Sequence, residues 1–183
     1  LVFFQAGGNI GMGTGVDIIS NSTGIYAVAG APGDNIIDQG VNSGAIWLFR
    51  KSGGVWEVDG SKRYPAASME GDEFGRSVAI SFNGSGFFAL AGGPNADEGM
   101  VAVFQRSGST WVEQPILTAS GGADGDLFGV SVDLEGNTAI VGASRSDDLG
   151  SSSGSAYVFT WDGTAWNQQA KLLASDGAPN DRF

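Results

Sequence analysis

The chain has 183 residues and a mass of 18.7 kDa, and it is 42 % hydrophobic, with 31 glycines against 5 prolines. That is enough apolar material for a core, heavily punctuated by turns. It contains no cysteine and no histidine, which excludes disulfides, thiolate chemistry, Cys/His zinc sites and any triad with a histidine base. Nine basic against twenty acidic residues leave a formal net charge of −11. Such a surface repels phosphate backbones, so nucleic acid is excluded as a partner. No run approaches the ~20 consecutive apolar residues of a membrane-spanning helix, and no membrane insertion is expected within this chain.

The opening Leu1-Val2-Phe3-Phe4 is too short an apolar run for a signal peptide. Leu1–Met12 aligns instead with Leu172–Phe183, so one segment type occurs twice. Internal repetition then dominates the chain. Gly44, Gly99 and Gly154 lie 55 residues apart, as do Phe49, Phe104 and Phe159, and again Trp56, Trp111 and Trp166. Unit starts fall at Met12-Gly13, Phe74-Gly75 and Phe128-Gly129, with Phe183 opening a further one. These landmarks predict the end of a preceding repeat over 1–11, repeats over 12–73, 74–127 and 128–182, and the start of another at 183.

Each repeat reads as four short strands. In the second, residues Phe74–Ile80 alternate with period two, and Asn83-Gly84 supplies a hairpin turn. Residues Phe87–Ala91, Met100–Phe104 and Trp111–Leu117 complete the set, with Pro115 tolerable only at an edge or a bulge. No helical periodicity appears. The expected fold is all-β: three four-stranded antiparallel repeats of about 55 residues, stacked face to face as β-propeller blades. The first strand of each lies innermost and the fourth at the rim, with the repeated tryptophan packed between blades.

The motifs Phe74-Gly75-Arg76-Ser77-Val78 and Phe128-Gly129-Val130-Ser131-Val132, followed by Gly30-Ala31-Pro32, Gly92-Gly93-Pro94 or Gly142-Ala143-Ser144 in the second half of a unit, resemble the FG-GAP repeat. Met12 and Ser144 depart from its pattern. The resemblance implies the propeller of integrin α-subunits and many microbial and protist surface proteins, usually seven blades, of which this chain supplies three. It also implies calcium in the loop after Gly-Ala-Pro. Asp34, Asp38 and Asn42 occupy the first, fifth and ninth places of that pattern, although Ile36 stands at the third, where a hard cation needs an oxygen.

Other candidates come from the residues themselves. Asp72, Asp126 and Asp181 each stand two places before a unit-starting phenylalanine, where a short carboxylate can accept backbone N–H groups and hold the turn. Asn21-Ser22-Thr23 and Asn83-Gly84-Ser85 are acceptors for N-glycosylation, on the same hairpin of successive repeats. Trp161 aligns with Lys51 and Arg106 at a turn, which makes it a candidate ligand contact. Gly11-Met12-Gly13-Thr14-Gly15 looks like a nucleotide loop but coincides with a unit start, and no helix follows.

No catalytic constellation emerges, and the chain is not expected to be an enzyme. The expected role is a non-enzymatic, extracellular or cell-surface recognition or adhesion module that binds protein or glycan through blade loops. Two alternatives stand beside it: a structural subunit of a surface fibre assembled head-to-tail from copies of itself, and an accessory domain of a larger secreted enzyme. The duplicated terminal segment suggests a piece of a longer array, or a subunit that completes its neighbour.

Overall fold

The computed structural model describes residues 11–183, so the expected repeat end at 1–10 lies outside the described residues. Three separate four-stranded antiparallel meanders follow one another in sequence. Sheet 1 comprises β1 (Val16–Asn21), β2 (Gly24–Ala31), β3 (Ala45–Ser52) and β4 (Val55–Val58). Sheet 2 comprises β5 (Ser77–Phe82), β6 (Phe87–Gly93), β7 (Met100–Ser107) and β8 (Thr110–Leu117). Sheet 3 comprises β9 (Phe128–Glu135), β10 (Thr138–Ala143), β11 (Ser155–Trp161) and β12 (Trp166–Leu172). The fold is all-β, and its units match propeller-type blades of about 55 residues.

Two apolar cores lie between successive sheets. One joins sheets 1 and 2 through Val28, Leu48, Phe74, Ile80, Phe104 and Trp111. The other joins sheets 2 and 3 through Leu90, Val103, Phe128, Leu134, Val141 and Tyr157. Sheet 2 is therefore covered on both faces, and all seven residues of β6 are buried. Such a strand must be apolar at every position rather than alternately, which is why Phe87-Phe88-Ala89-Leu90-Ala91 reads as an unbroken run. Successive sheets meet along their first strands, β1 with β5 and β5 with β9, and the fourth strands are free edges.

Glycine makes that convergence possible. A Cβ on Gly30 would overlap the carbonyl oxygen of Gly75, and one on Gly92 would overlap that of Gly129. At the same corner Gly44, Gly99 and Gly154 have φ of 85°, 86° and 83°, a left-handed conformation that side chains resist. These account for the 55-residue glycine landmark.

Two local details refine the strand reading. The first strand of sheet 2 begins at Ser77, after Gly75 with its φ of 88°. Phe74 stays with the preceding sheet, bridged in parallel to Gly44 with its N–H on the Ser43 carbonyl at 3.2 Å. Pro115 sits where expected, on the outer strand β8 at a register shift, since Val101 pairs with Leu117 but Val103 with Gln114.

Candidate functional site

The meander sorts all connections onto two ends. The tight hairpins β1–β2, β3–β4 and their equivalents lie at one end, and the longer β2–β3 and sheet-to-sheet connections at the other. Asn21, Asn83 and Trp161 fall at the hairpin end, and the Asp34 loop at the connection end.

The connection end is held rigidly. Asp72 Oδ2 accepts the Met69 N–H at 2.7 Å, Asp126 Oδ2 that of Ala123 at 3.0 Å, and Asp181 Oδ2 that of Ala178 at 2.8 Å. All three carboxylates thus close the turn before the next phenylalanine. Burial pushes the Asp72 carboxyl above its ordinary value, opposed by the Met69 N–H and reinforced by Asp97.

The β2–β3 loop of sheet 1 repeats its bonding in sheet 3. Gly44 N–H donates to Asp34 O, and Gly154 N–H to Ser146 O, both at 2.9 Å. Asn42 N–H donates to Asn35 Oδ1 (2.8 Å), and Ser152 N–H to Asp147 Oδ1 (2.7 Å). Asp34 itself is buried and its Oδ2 accepts from the Lys62 ammonium at 2.9 Å, whereas Asp38 and Asn42 are exposed. As arranged, the loop carries one buried carboxylate already neutralised by a lysine, and buried Ile36 supplies no side-chain oxygen. Among the described residues no group of three or more acidic side chains is placed to hold a metal. Sheet 3 repeats the device: Lys171 Nζ donates to Asp148 Oδ1 at 2.6 Å. Burial raises the Asp148 carboxyl, but Lys171 and Ser146 outweigh it and hold it below its ordinary value.

From this loop Ile37 projects with 98 % of its surface exposed and shares a surface cleft with Tyr64 of the following connection, while Val41 and Met69 are also exposed at this end. Acidic residues Asp38, Glu70 and Glu98 share this end. Exposed Ile37 and Tyr64 on this hydrogen-bonded, acid-bearing end are the part of the described surface best suited to contact another molecule.

At the hairpin end the tryptophans are junction elements. Trp111 is buried between sheets 1 and 2, and its Nε1–H donates to Asp59 Oδ2 at 2.9 Å. The same carboxylate accepts from Arg106 Nε (2.7 Å) and Nη2 (3.3 Å), and the guanidinium lies over the Tyr26 ring at 5.1 Å. The hydrogen bond to Asp59 holds Arg106 above its ordinary value despite burial. At the next junction Phe88, Trp161 and Trp166 stand where Tyr26, Arg106 and Trp111 stand in the first, with ring centroids 5.2 to 5.9 Å apart. Trp161 is therefore only partly exposed and packs against the core of sheets 2 and 3. Sequence reasoning missed Asp59, because it recurs in neither other repeat. The alignment of Arg106 with Trp161 was the available signal that the two junctions use different chemistry.

The two sequons sit on the first hairpins of sheets 1 and 2, each with its amide hydrogen-bonded. Asn21 Oδ1 accepts from Thr23 N–H (2.8 Å) and Oγ1 (2.6 Å), and its Nδ2 is buried. Asn83 Nδ2 donates to Asn137 Oδ1 across to sheet 3 at 2.9 Å.

The FG-GAP repeat family model matches residues 111–159. That window runs from the last strand of sheet 2 through the third strand of sheet 3, so it takes in the tryptophan, the Phe128-Gly129 corner and the Gly142-Ala143 turn. No curated protein matches the chain. The match covers about a quarter of the chain, and the three four-stranded sheets are consistent with FG-GAP-type blades. The sequence has no cysteine or histidine. Among the described residues there is no helix long and apolar enough to cross a membrane.

Proposed function

We propose that this chain is an extracellular, cell-surface recognition or adhesion module whose connection end contacts a protein or glycan. The observation that carries the reading is the hydrogen-bonded loop that holds Ile37 almost fully in solvent beside Tyr64. An apolar side chain held out by a fixed backbone loses little conformational entropy on binding. The acidic surround favours a partner with basic groups near an apolar patch. N-glycans at Asn21 and Asn83 are part of the proposal; they lie at the opposite end and leave this face bare. Attachment requires the buried Asn21 amide to turn outward and the Asn83 amide to release Asn137, and intact mass before and after glycosidase tests it. A ligand role for Trp161 places a second contact at the hairpin end. Calcium at the Asp34 loop is a separate proposal, in which the ion exchanges with the Lys62 ammonium; calorimetry on chelator-treated protein tests it.

The main test measures binding of labelled protein to intact cells and to an immobilised glycan panel. Substituting Ile37→Asn with Tyr64→Ser should abolish the signal, while Lys51→Ser at the hairpin end should preserve it. The opposite pattern, or no binding to either surface, overturns the reading.

A further inference from the structure

Sheet 2 differs from its neighbours at the connection end by what its β6–β7 loop lacks. The β2–β3 loop spans 32–44 and the β10–β11 loop 144–154, but the β6–β7 loop spans only 94–99. The two long loops cover the connections that follow them: Gln39 Nε2 of sheet 1 donates to Pro65 O at 3.0 Å, and Leu149 of sheet 3 lies against Gly177. The short loop keeps the shared backbone bond, Gly125 N–H to Asp97 O at 3.2 Å, as Gly71 N–H bonds Val41 O at 3.0 Å. It has no residues left to reach further.

The space so left is a groove of about 640 Å³, within the ~300–1,000 Å³ of ligand clefts. It lies between two described connections and over a sheet that is covered on both faces. Met69 of the preceding connection, Met100 at the start of β7 and Ile116 near the end of β8 give it apolar surface. Asp97 and Glu98 of the short loop and Asp124 of the following connection give it three carboxylates, all exposed. Among the described residues these carboxylates form no hydrogen bond or ion pair. Burial above all, and Asp97 besides, raises the carboxyl of neighbouring Asp72 against the Met69 N–H, so negative potential reaches the wall of the groove.

The long loops show what such acids meet elsewhere in the same chain. Asp34 is paired with Lys62, and Asp148 with Lys171. Ile116 stands in sheet 2 where Lys171 stands in sheet 3, since Leu117 pairs with Val101 as Leu172 pairs with Ala156. Sheet 2 therefore keeps the acids and carries an apolar side chain in place of the ammonium. The lining has no aromatic ring on which a sugar would stack.

We propose that this groove binds a protein partner through a lysine or arginine side chain flanked by apolar residues. The cation takes the place that Lys171 fills in sheet 3, beside the acids of the short loop, and the apolar flank lies on Met69, Met100 and Ile116. Methionine side chains adapt to unlike apolar shapes, and the unpaired carboxylates steer a basic segment towards them. The inference rests on the reading that the connection end contacts another molecule, and it names the chemistry of what enters this second cleft; Ile37 and Tyr64 line a separate one.

The probe is a phage-displayed library of random heptapeptides selected on the immobilised chain, with counter-selection on Met69→Lys, which sets a fixed ammonium at the groove. The Met69 side chain is 68 % exposed, so this variant should melt with the unaltered chain. Sequences that join Lys or Arg to Leu, Met or Phe should be enriched. A labelled representative should lose about tenfold in affinity on Asp97→Asn with Asp124→Asn, and its binding should weaken with salt. Ile116→Lys, which restores the lysine of sheet 3, should abolish binding. Glu57→Gln with Glu135→Gln, the same change of charge at the hairpin end, should leave affinity unchanged. Ile37→Asn with Tyr64→Ser should also leave peptide affinity unchanged, so failure of the loop contact on cells and failure of the groove are read from different variants. No enrichment of basic-apolar sequences, or affinity indifferent to the groove substitutions, overturns the proposal.

Discussion

Replacing Asp59 by alanine should strike the first junction while leaving the second intact. The Asp59 side chain is 3 % exposed and that of Arg106 16 %, so this pair is screened far less than a surface salt bridge. The substitution removes two charge-assisted bonds to Arg106 and the acceptor of Trp111 Nε1–H. It leaves a largely buried guanidinium uncompensated, a change that costs about 3–5 kcal/mol. For a chain of this size that corresponds to a fall in melting temperature of roughly 10 °C or more. Urea and thermal unfolding followed by tryptophan emission would measure it, and amide exchange would show protection lost in β4, β7 and β8 before β9–β11. Removing both partners, as in Asp59→Leu with Arg106→Met, should recover much of the loss, because no unpaired charge remains. Glu57→Ala, which removes only an exposed partner of Arg50, should cost ~1 kcal/mol or less. A loss for Asp59→Ala as small as that of Glu57→Ala would refute the reasoning, since the pair would then be acting as a solvated one.

Three further outcomes follow from the geometry. Gly92→Ala sets a methyl into the Gly129 carbonyl and should cost more than about 3 kcal/mol in chemical denaturation, whereas Gly142→Ala meets chiefly the movable Ser131 hydroxyl and should cost less. Asp126→Ala removes the acceptor of the Ala123 N–H and should cost about 1–2 kcal/mol. Asp162 is held down to about 2 from 3.8, first by the Thr164 hydroxyl and then by the N–H groups of Ala165 and Thr164. A lowered folded value means the carboxylate stabilises the fold above its unfolded value and loses that contribution as pH falls from about 4 through about 2. Carboxyl NMR titration should place Asp162 near its lowered value, and Asp162→Asn should flatten the acid limb of the stability curve; titration in the ordinary carboxylate range would contradict this.

Much of the architecture was legible because the constraint recurs. A corner that admits only glycine, and a strand pair that must turn every few residues, leave the same residue at the same interval three times. Asp72, Asp126 and Asp181 were legible as turn-holders for the same reason, since their partners lie three residues away. Asp34, Asp38 and Asn42 match a ligand interval in the sequence, whereas the ion pair of Asp34 with Lys62, 28 positions downstream, is visible only in the structure.

Sequence by itself determined the strands, the turns and the all-β class, since these depend on neighbours within a few residues and on a period that the chain prints openly. Tertiary structure decided how the blades are joined. Asp59 meets Arg106 and Trp111 across 47 and 52 positions, and Phe88, Trp161 and Trp166 fill the equivalent place at the next junction without a charge. The physical reason is that a junction must fill its volume and satisfy its polar groups, and several unlike side-chain sets can do both; only the packed sheets reveal which set each junction uses.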